Sequence, residues 1–348
     1  MATFRRKDQQ LTDARPAIQE FWAWWADNRA DVIAAADADD EARLEALLGP
    51  AVAALHPDLS WELAGGADAR FALVVSGGAH LGLRALAERW CDAAPDADAD
   101  VEFAPQRRPN PGVFDTVVDV DDYEIPMGEL VAGTRMGREG RMDVVIHHPL
   151  FPLLAEPTRR EVAFRALYAA LGEDDVERWL GAVDVSPDAP IDAFAVSALP
   201  AVVDQLRPGG SPVQPTWAVL KGTSRFGPVM ATVRRPFTRV DRPLCDTYVG
   251  VVASYPGGKD GLPADDAVNN AIQELGEQLL AALGGDGRHA VLIGHEVMAK
   301  RAFVHLYVDG LAVDPQAARS VLGDWPHGRI KLVTKPDPAW RRVSRLLG

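Results

Sequence analysis

Residues 265–308 read DDAVNNAIQELGEQLLAALGGDGRHAVLIGHEVMAKRAFVHLYV, and the apolar spacing changes halfway along. Val268, Ile272, Leu275 and Leu279 recur every three or four residues, which places them on one face of a helix over 265–283. Gly284-Gly285 ends that helix. The period then falls to two: Ala290 to Gly294 and Ala302 to Val308 read as the strands of a hairpin. Outward from this stretch, Tyr248 to Ser254 is a strand ahead of the helix. Asp314-Pro315 supplies an N-cap and a proline at the first helical position, opening a second helix through Leu322. Arg329 to Val333 is a last strand. The order β-α-β-β-α-β is that of the ferredoxin-like split motif, an antiparallel sheet with its helices on one face. Thr216 to Leu220 and Val229 to Val233 lead into it as a strand pair around Phe226-Gly227.

Upstream, a helix from Pro16 carries Ile18, Phe21, Trp22 and Trp25 on one stripe, with Trp24 off it. Asp37, Asp39, Asp40 and Glu41 suit the first turn of a second helix, which runs to His56-Pro57. Leu59 to Leu63, Phe71 to Val75, Val101 to Ala104, Val117 to Val120, Leu130 to Thr134 and Met142 to His147 read as strands. Between them lies a helix carrying Leu83, Leu86 and Trp90, and two more follow over 158–171 and 174–180. Gly137 and Gly140 mark a hairpin turn. The proline-dense stretch 184–215 is the predicted boundary. The expectation is α+β with two domains: an acidic one over 1–200 with N-terminal helices, and a ferredoxin-like one over 201–348.

The chain has 348 residues and a net charge of -14, a length that suits about two domains. Hydrophobic residues make up 47% and charged residues 25%, enough apolar material for a sizeable core and against global disorder. Residues 1–200 hold 18 Lys plus Arg against 36 Asp plus Glu, whereas residues 201–348 hold 18 against 14. The first part therefore repels nucleic acid and anionic membranes. No run approaches the roughly 18 apolar residues of a membrane helix. The opening MATFRRKDQQ lacks the apolar stretch of a signal peptide. Two distant cysteines, Cys91 and Cys245, point to a reducing compartment, and the cytoplasm is the expected location.

The stretch from about Arg225 to Trp340 resembles a bacterial family known as domain of unknown function 695. The likeness rests on Pro228-Val229-Met230-Ala231, Gly261-Leu262-Pro263, Gly294, Arg301, Phe303, Tyr307-Val308 and Asp337-Pro338-Ala339-Trp340. It covers the last third of the chain. The remainder looks like the region that accompanies this module in some actinobacterial proteins, through Phe21-Trp22-Ala23-Trp24-Trp25, Leu55-His56-Pro57 and Leu171-Gly172-Glu173-Asp174. The resemblance implies an α+β module with no established activity and no catalytic residue. It also implies kinship with the protein regulator of ribonuclease E, which acts by binding an enzyme.

Each chemical constellation has a plain competitor. Ser76-Gly77-Gly78-Ala79-His80 between a strand and a helix offers a Ser-His pair or an anion site, but it lacks the nucleophile elbow and the P-loop lysine; a glycine turn with a capping serine is preferred. His295 and His305 pair directly across a three-residue turn and face opposite sides across a two-residue turn. Glu296 points away from His295, so at most two ligands converge. His147 and His148 are strand neighbours on opposite faces. Asp119, Asp121, Asp122 and Glu124 lack calcium-loop spacing and read as a solvated edge. Arg225, Arg234, Arg235, Arg239 and Arg242, with Phe226 and Phe237, suit either single-stranded nucleic acid or an acidic protein surface. Charge favours the acidic surface, on a partner or within the molecule. Trp24 is a candidate contact residue.

The sequence thus points to a non-catalytic protein-binding or regulatory module with no cofactor and no metal. Its candidate contacts are Arg225, Arg234, Arg235, Arg239 and Trp24, and its protein partner is unidentified. The alternatives are a hydrolase using the Ser76–His80 loop and nucleic-acid binding through the Arg225–Arg242 face.

Overall fold

A computed structural model of the protein describes residues 13–78, 80–120, 122–137, 141–206 and 215–347. Ala79, Asp121, Gly140, Pro208, Gly209, Gly210 and Pro212, which enter the sequence reading, lie outside them. The chain forms two compact units. One is built from the chain up to Pro105 and again from Pro215; the other starts at Gln106. The chain therefore leaves the first unit and returns to it, where the sequence reading has a single passage within 184–215.

Two helices open the first unit, α1 (Arg15–Asp37) and α2 (Glu41–Leu55). Pro16 sits in the first turn of α1, where its missing N–H costs nothing. Asp40 caps α2 by accepting from the Arg43 N–H at 3.0 Å. Strands β1 (Ser60–Gly65) and β2 (Phe71–Ser76) pair antiparallel. After the crossover helix α3 (Arg84–Asp92), β3 (Val101–Ala104) pairs parallel to β2. The buried Glu102 accepts from the N–H groups of Ala67 and Asp68 and so holds the β1–β2 turn. Phe21, Trp25, Leu48, Leu73 and Trp90 form this core. The Trp22 ring stacks on Trp90 with centroids 5.0 Å apart, and its indole N–H donates to the Trp90 carbonyl.

The second unit contains the hairpin β4 (Val117–Val120) and β5 (Tyr123–Pro126). It continues with β6 (Val131–Met136), β7 (Met142–His147), α4 (Glu156–Trp179), β8 (Leu180–Val185), β9 (Phe194–Ala195) and α5 (Leu199–Asp204). Its sheet runs β8-β7-β6-β9, with β7 and β8 parallel. The span α4 is two helical segments meeting at Gly172, whose φ of +73° breaks the helical backbone between them, as the sequence reading has it. Strands β5, β8 and β9 are short and sit in acidic or proline-containing sequence that carries little period-two signal.

Back in the first unit come β10 (Thr216–Ser224), β11 (Gly227–Arg235), β12 (Thr247–Ser254), α6 (Asp266–Ala282), β13 (Ala290–Met298), β14 (Arg301–Val308), α7 (Arg319–Leu322), β15 (Ile330–Pro336) and α8 (Ser344–Leu347). Their six strands form one antiparallel sheet in the order β10-β11-β13-β14-β12-β15. Val268, Ile272, Leu275 and Leu279 of α6 pack on one face with Val249, Val251, Val304 and Leu306. Tyr248, Val291, Ile293 and Tyr307 on the other face pack under Phe237, Trp340, Val343 and Leu346. Asp265 caps α6 by accepting from the Val268 N–H. Asp314 does the same for Gln316 ahead of α7. The Asp314 cap follows the sequence reading.

Candidate functional site

β10 and β11 form a long ribbon joined by a two-residue turn, Arg225-Phe226, with every residue from Thr216 to Ser224 paired to β11. β10 is the outer strand of the six, so one of its edges has no neighbour among the described strands. Pairing with β11 sets Trp217 opposite Arg234 and Val219 opposite Thr232. Helix α6 packs chiefly against β13 and β14, away from this end of the sheet. Trp217 is 54% exposed, Val219 59% and Phe226 60%. Three of the eight large exposed apolar side chains among the described residues thus lie on one ribbon. Residues 215–235 carry Lys221, Arg225, Arg234 and Arg235 and no acid.

Most of the predicted arginines are engaged within the molecule. Arg234 pairs with Asp286 at 2.8 Å, and Arg242 approaches the same carboxylate at 3.9 Å. Both guanidiniums lie over the ring of Phe237, which is buried. Of the two aromatics that suggested base stacking, Phe237 is a core contact and Phe226 is exposed. Arg235 donates to the Leu347 carbonyl at 2.9 Å. Arg239 is buried in a short helical turn closed by the Thr238–Asp241 capping box. Arg225 alone among the four candidate arginines is exposed, with its guanidinium 4.6 Å from the centre of the Phe226 ring. Trp24 is half-buried and packs on the N-terminal core, 5.6 Å from Phe21 between ring centres.

The Ser76–His80 loop does not assemble a reactive pair among the described residues. Ser76 is buried and its hydroxyl accepts from the Gly78 N–H at 2.9 Å, whereas His80 is exposed. His148 is fully buried: Nδ1 accepts from the Leu150 N–H, so Nε2 carries the proton and donates to the Pro126 carbonyl. Burial pushes its pKa down. Among the described residues no group of three or more His, Cys, Asp or Glu is placed to hold a metal ion. No described helix is long and apolar enough to cross a membrane. Cys91 and Cys245 are not in a disulfide, and burial pushes the Cys245 thiol up to about 12.

Two polar clusters are ones the sequence reading missed. The β13–β14 turn is the two-residue Ala299-Lys300, so His295 faces Val304 while His305 faces Gly294, on the opposite side of the sheet. That register brings Glu296 to the side of His305. The Tyr248 hydroxyl and His305 Nδ1 share a hydrogen bond of 2.8 Å, His305 Nε2 lies 3.2 Å from Glu296 Oε1, and Arg345 of α8 pairs with the same carboxylate. Burial alone would raise the Glu296 pKa, but hydrogen bonds from His305 and Arg345 hold it at about 2. Burial, reinforced by the Glu296 charge, pushes the Tyr248 hydroxyl up to about 12. The hydroxyl–imidazole–carboxylate order is that of an activated nucleophile. Here all three groups are buried and the hydroxyl stays neutral, so the chain ties α8 to the sheet.

The second cluster centres on Arg89 of α3. Its guanidinium lies 2.8 Å from Asp246 and 2.5 Å from Asp309, and His289 Nδ1 lies 3.0 Å from Asp309. Burial disfavours the Asp309 charge, yet Arg89 holds that carboxyl below its ordinary range. A cavity of about 340 Å³ beside it is lined by Ile18, Arg89, His289, Asp309 and Leu311, among others. One guanidinium faces two carboxylates, so the cluster keeps an excess of negative charge beside the exposed His289 imidazole.

Comparison of the chain with family models, with curated proteins and with solved structures finds no match.

Proposed function

We propose that the protein is a non-catalytic binding module that engages another protein through the β10–β11 ribbon. The observation that carries this reading is the concentration of exposed apolar side chains, Trp217, Val219 and Phe226, beside an unpaired strand edge. Large aromatic residues at a rigid exposed position are what protein contacts draw most of their energy from. The ferredoxin-like reading of the sheet belongs to the same proposal. The order β13-β14-β12-β15, antiparallel throughout, supports it, as does the placing of α6 between β12 and β13 and of α7 between β14 and β15. In that description the ribbon is an addition to the β13 edge. The resemblance to the domain of unknown function 695 family enters the proposal too. Several of its residues hold the sheet together: the Tyr307 hydroxyl donates to Asp337 at 2.6 Å, and the Tyr307 ring stacks on Trp340.

The test is affinity capture from native extract with the wild-type chain and with a Trp217→Ala/Val219→Asp variant, compared by mass spectrometry. Both positions are exposed, so the variant keeps its fold. The expected result is a stoichiometric partner that the variant fails to retain. Equal recovery by both chains, or no partner together with turnover in a substrate screen, sinks the reading.

A further inference from the structure

We propose that the free edge of β10 takes up an extended, acidic segment of a protein partner as an added strand. This rests on the reading of the ribbon as a binding surface and specifies what it binds.

The edge comes first. Among the described residues β10 pairs with β11 on one side only, and its outer side presents the alternating N–H and C=O groups of a nine-residue strand. Natural sheets blunt such edges with proline, short strands or clustered charge. β10 has no proline, no bulge in its pairing and one charge, Lys221. The edge is therefore competent to template a strand.

Charge then selects the occupant. Residues 215–235 hold four basic residues and no acid in a chain whose net charge is -14. Lys221 and Arg225 are exposed, and no acid pairs with either among the described residues. Edge-to-edge pairing of two copies would bring these like charges together, which is unfavourable. A strand with glutamate or aspartate facing Lys221 and apolar residues facing Trp217 and Val219 satisfies both features of the ribbon. Nucleic acid fits less well. Arg234 is neutralised by Asp286 and the Arg235 guanidinium is turned to the Leu347 carbonyl, which leaves Lys221 and Arg225 as the outward cations of the ribbon among the described residues. Phosphate-driven affinity grows with the number of phosphates neutralised, and a phosphate chain cannot complete the N–H and C=O ladder of a strand edge.

The test uses the full chain and two fluorescent nine-residue peptides followed by anisotropy, Thr-Val-Thr-Val-Thr-Glu-Thr-Glu-Thr and its reversed sequence. In either strand direction valines can then face Trp217 and Val219 while glutamates face Lys221 and the Arg225 end, all on one face of β10. Comparison probes are the same peptides with lysine for glutamate, the same peptides interrupted by proline, and oligothymidylate. Hydrogen exchange of residues 216–224 is measured with and without peptide. We expect one of the two glutamate peptides to bind. The lysine and proline peptides should bind on the order of tenfold or more weaker, and a Lys221→Glu/Arg225→Glu variant should lose about tenfold, as for loss of complementary charge and ladder bonds. Alternate amides of β10 should slow in the complex. No binding of either glutamate peptide, indifference to the charge-reversed variant, or tighter binding of oligothymidylate overturns the proposal. So does self-association of the free chain through β10. Binding that Trp217→Ala abolishes, but that leaves the β10 amides unprotected, overturns strand addition alone. The wider reading then stands or falls on the capture experiment.

Discussion

Gly250 lacks a side chain because Tyr248 lies where one would go. A Cβ at position 250 would sit 2.3 Å from the Tyr248 hydroxyl and 2.4–2.5 Å from its ring carbons. The absent side chain lets the tyrosine lie along its own strand and reach His305, which is the register partner of Gly250 on β14. Gly250→Ala should therefore displace the Tyr248 ring and cost about 1–3 kcal/mol, the usual range for overpacking. Tyr248→Phe should cost about 1–3 kcal/mol by leaving a buried imidazole nitrogen unpaired. Urea midpoints of the two variants check both figures, and a Gly250→Ala chain as stable as wild type would refute the packing argument. At this scale the sequence was legible where a residue acts locally. Asp314 announces its cap by type and position, and the acidic residues Asp39, Asp40 and Glu41 mark a helix start. The Glu296–His305–Tyr248 chain was not legible. It depends on three strands meeting in one register, and that register turns on the length of a single turn.

Among the elements, the hairpin turn at Ala299-Lys300 is the informative one. Both residues have positive φ, +48° and +61°, as a two-residue turn with matching twist requires. Neither is a residue that adopts this region readily, so the sequence carried no turn signature and left the turn length open. The surrounding loop holds it: the Lys300 N–H donates to the Gly261 carbonyl at 2.8 Å, and the Tyr255 hydroxyl donates to the same carbonyl at 2.9 Å. Ala299→Asn/Lys300→Gly should relieve the backbone and raise stability by about 1 kcal/mol, in line with the cost of the left-handed region for ordinary residues. A fall in the urea midpoint would show that side-chain contacts of Lys300 outweigh the backbone gain. In the second unit, Gly172 behaves the other way. A Cβ there meets Pro109 Cδ at 2.9 Å and the Arg107 carbonyl at 3.0 Å, on top of a φ of +73°. Gly172→Ala should cost about 2 kcal/mol or more, because strain and overpacking add. The helix periods either side of Gly172 were readable. So was the break between them, since glycine in a helical pattern reads as a stop and the backbone at Gly172 is not helical.

For the whole molecule, the return of the chain from the second unit to the first explains why the boundary was hard to read. A proline-rich stretch marks composition, whereas which segments pack together is decided by long-range contacts such as those of Arg89 with Asp246 and Asp309. The pH dependence of stability follows from groups in both units. In the first, burial pushes His295 from 6.5 down to about 4, with the His305 charge adding to it. In the second, burial lowers His148. Each binds fewer protons folded than unfolded, so its stability contribution is complete above pH 6.5 and is lost as the pH falls from there, to about 4 for His295. Glu296 extends the loss: its contribution is complete above 4.5 and disappears toward about 2. Between pH 7 and pH 4, His295→Gln should lose less stability than wild type by on the order of 2–3 kcal/mol, since one pKa unit corresponds to about 1.4 kcal/mol. Urea unfolding of the two chains at both pH values measures the difference. His295 sits on the face of the sheet opposite the Glu296–His305 pair, so the substitution leaves that pair intact. Equal losses in the two chains would mean that His295 takes up its proton in the folded state as readily as in the unfolded one.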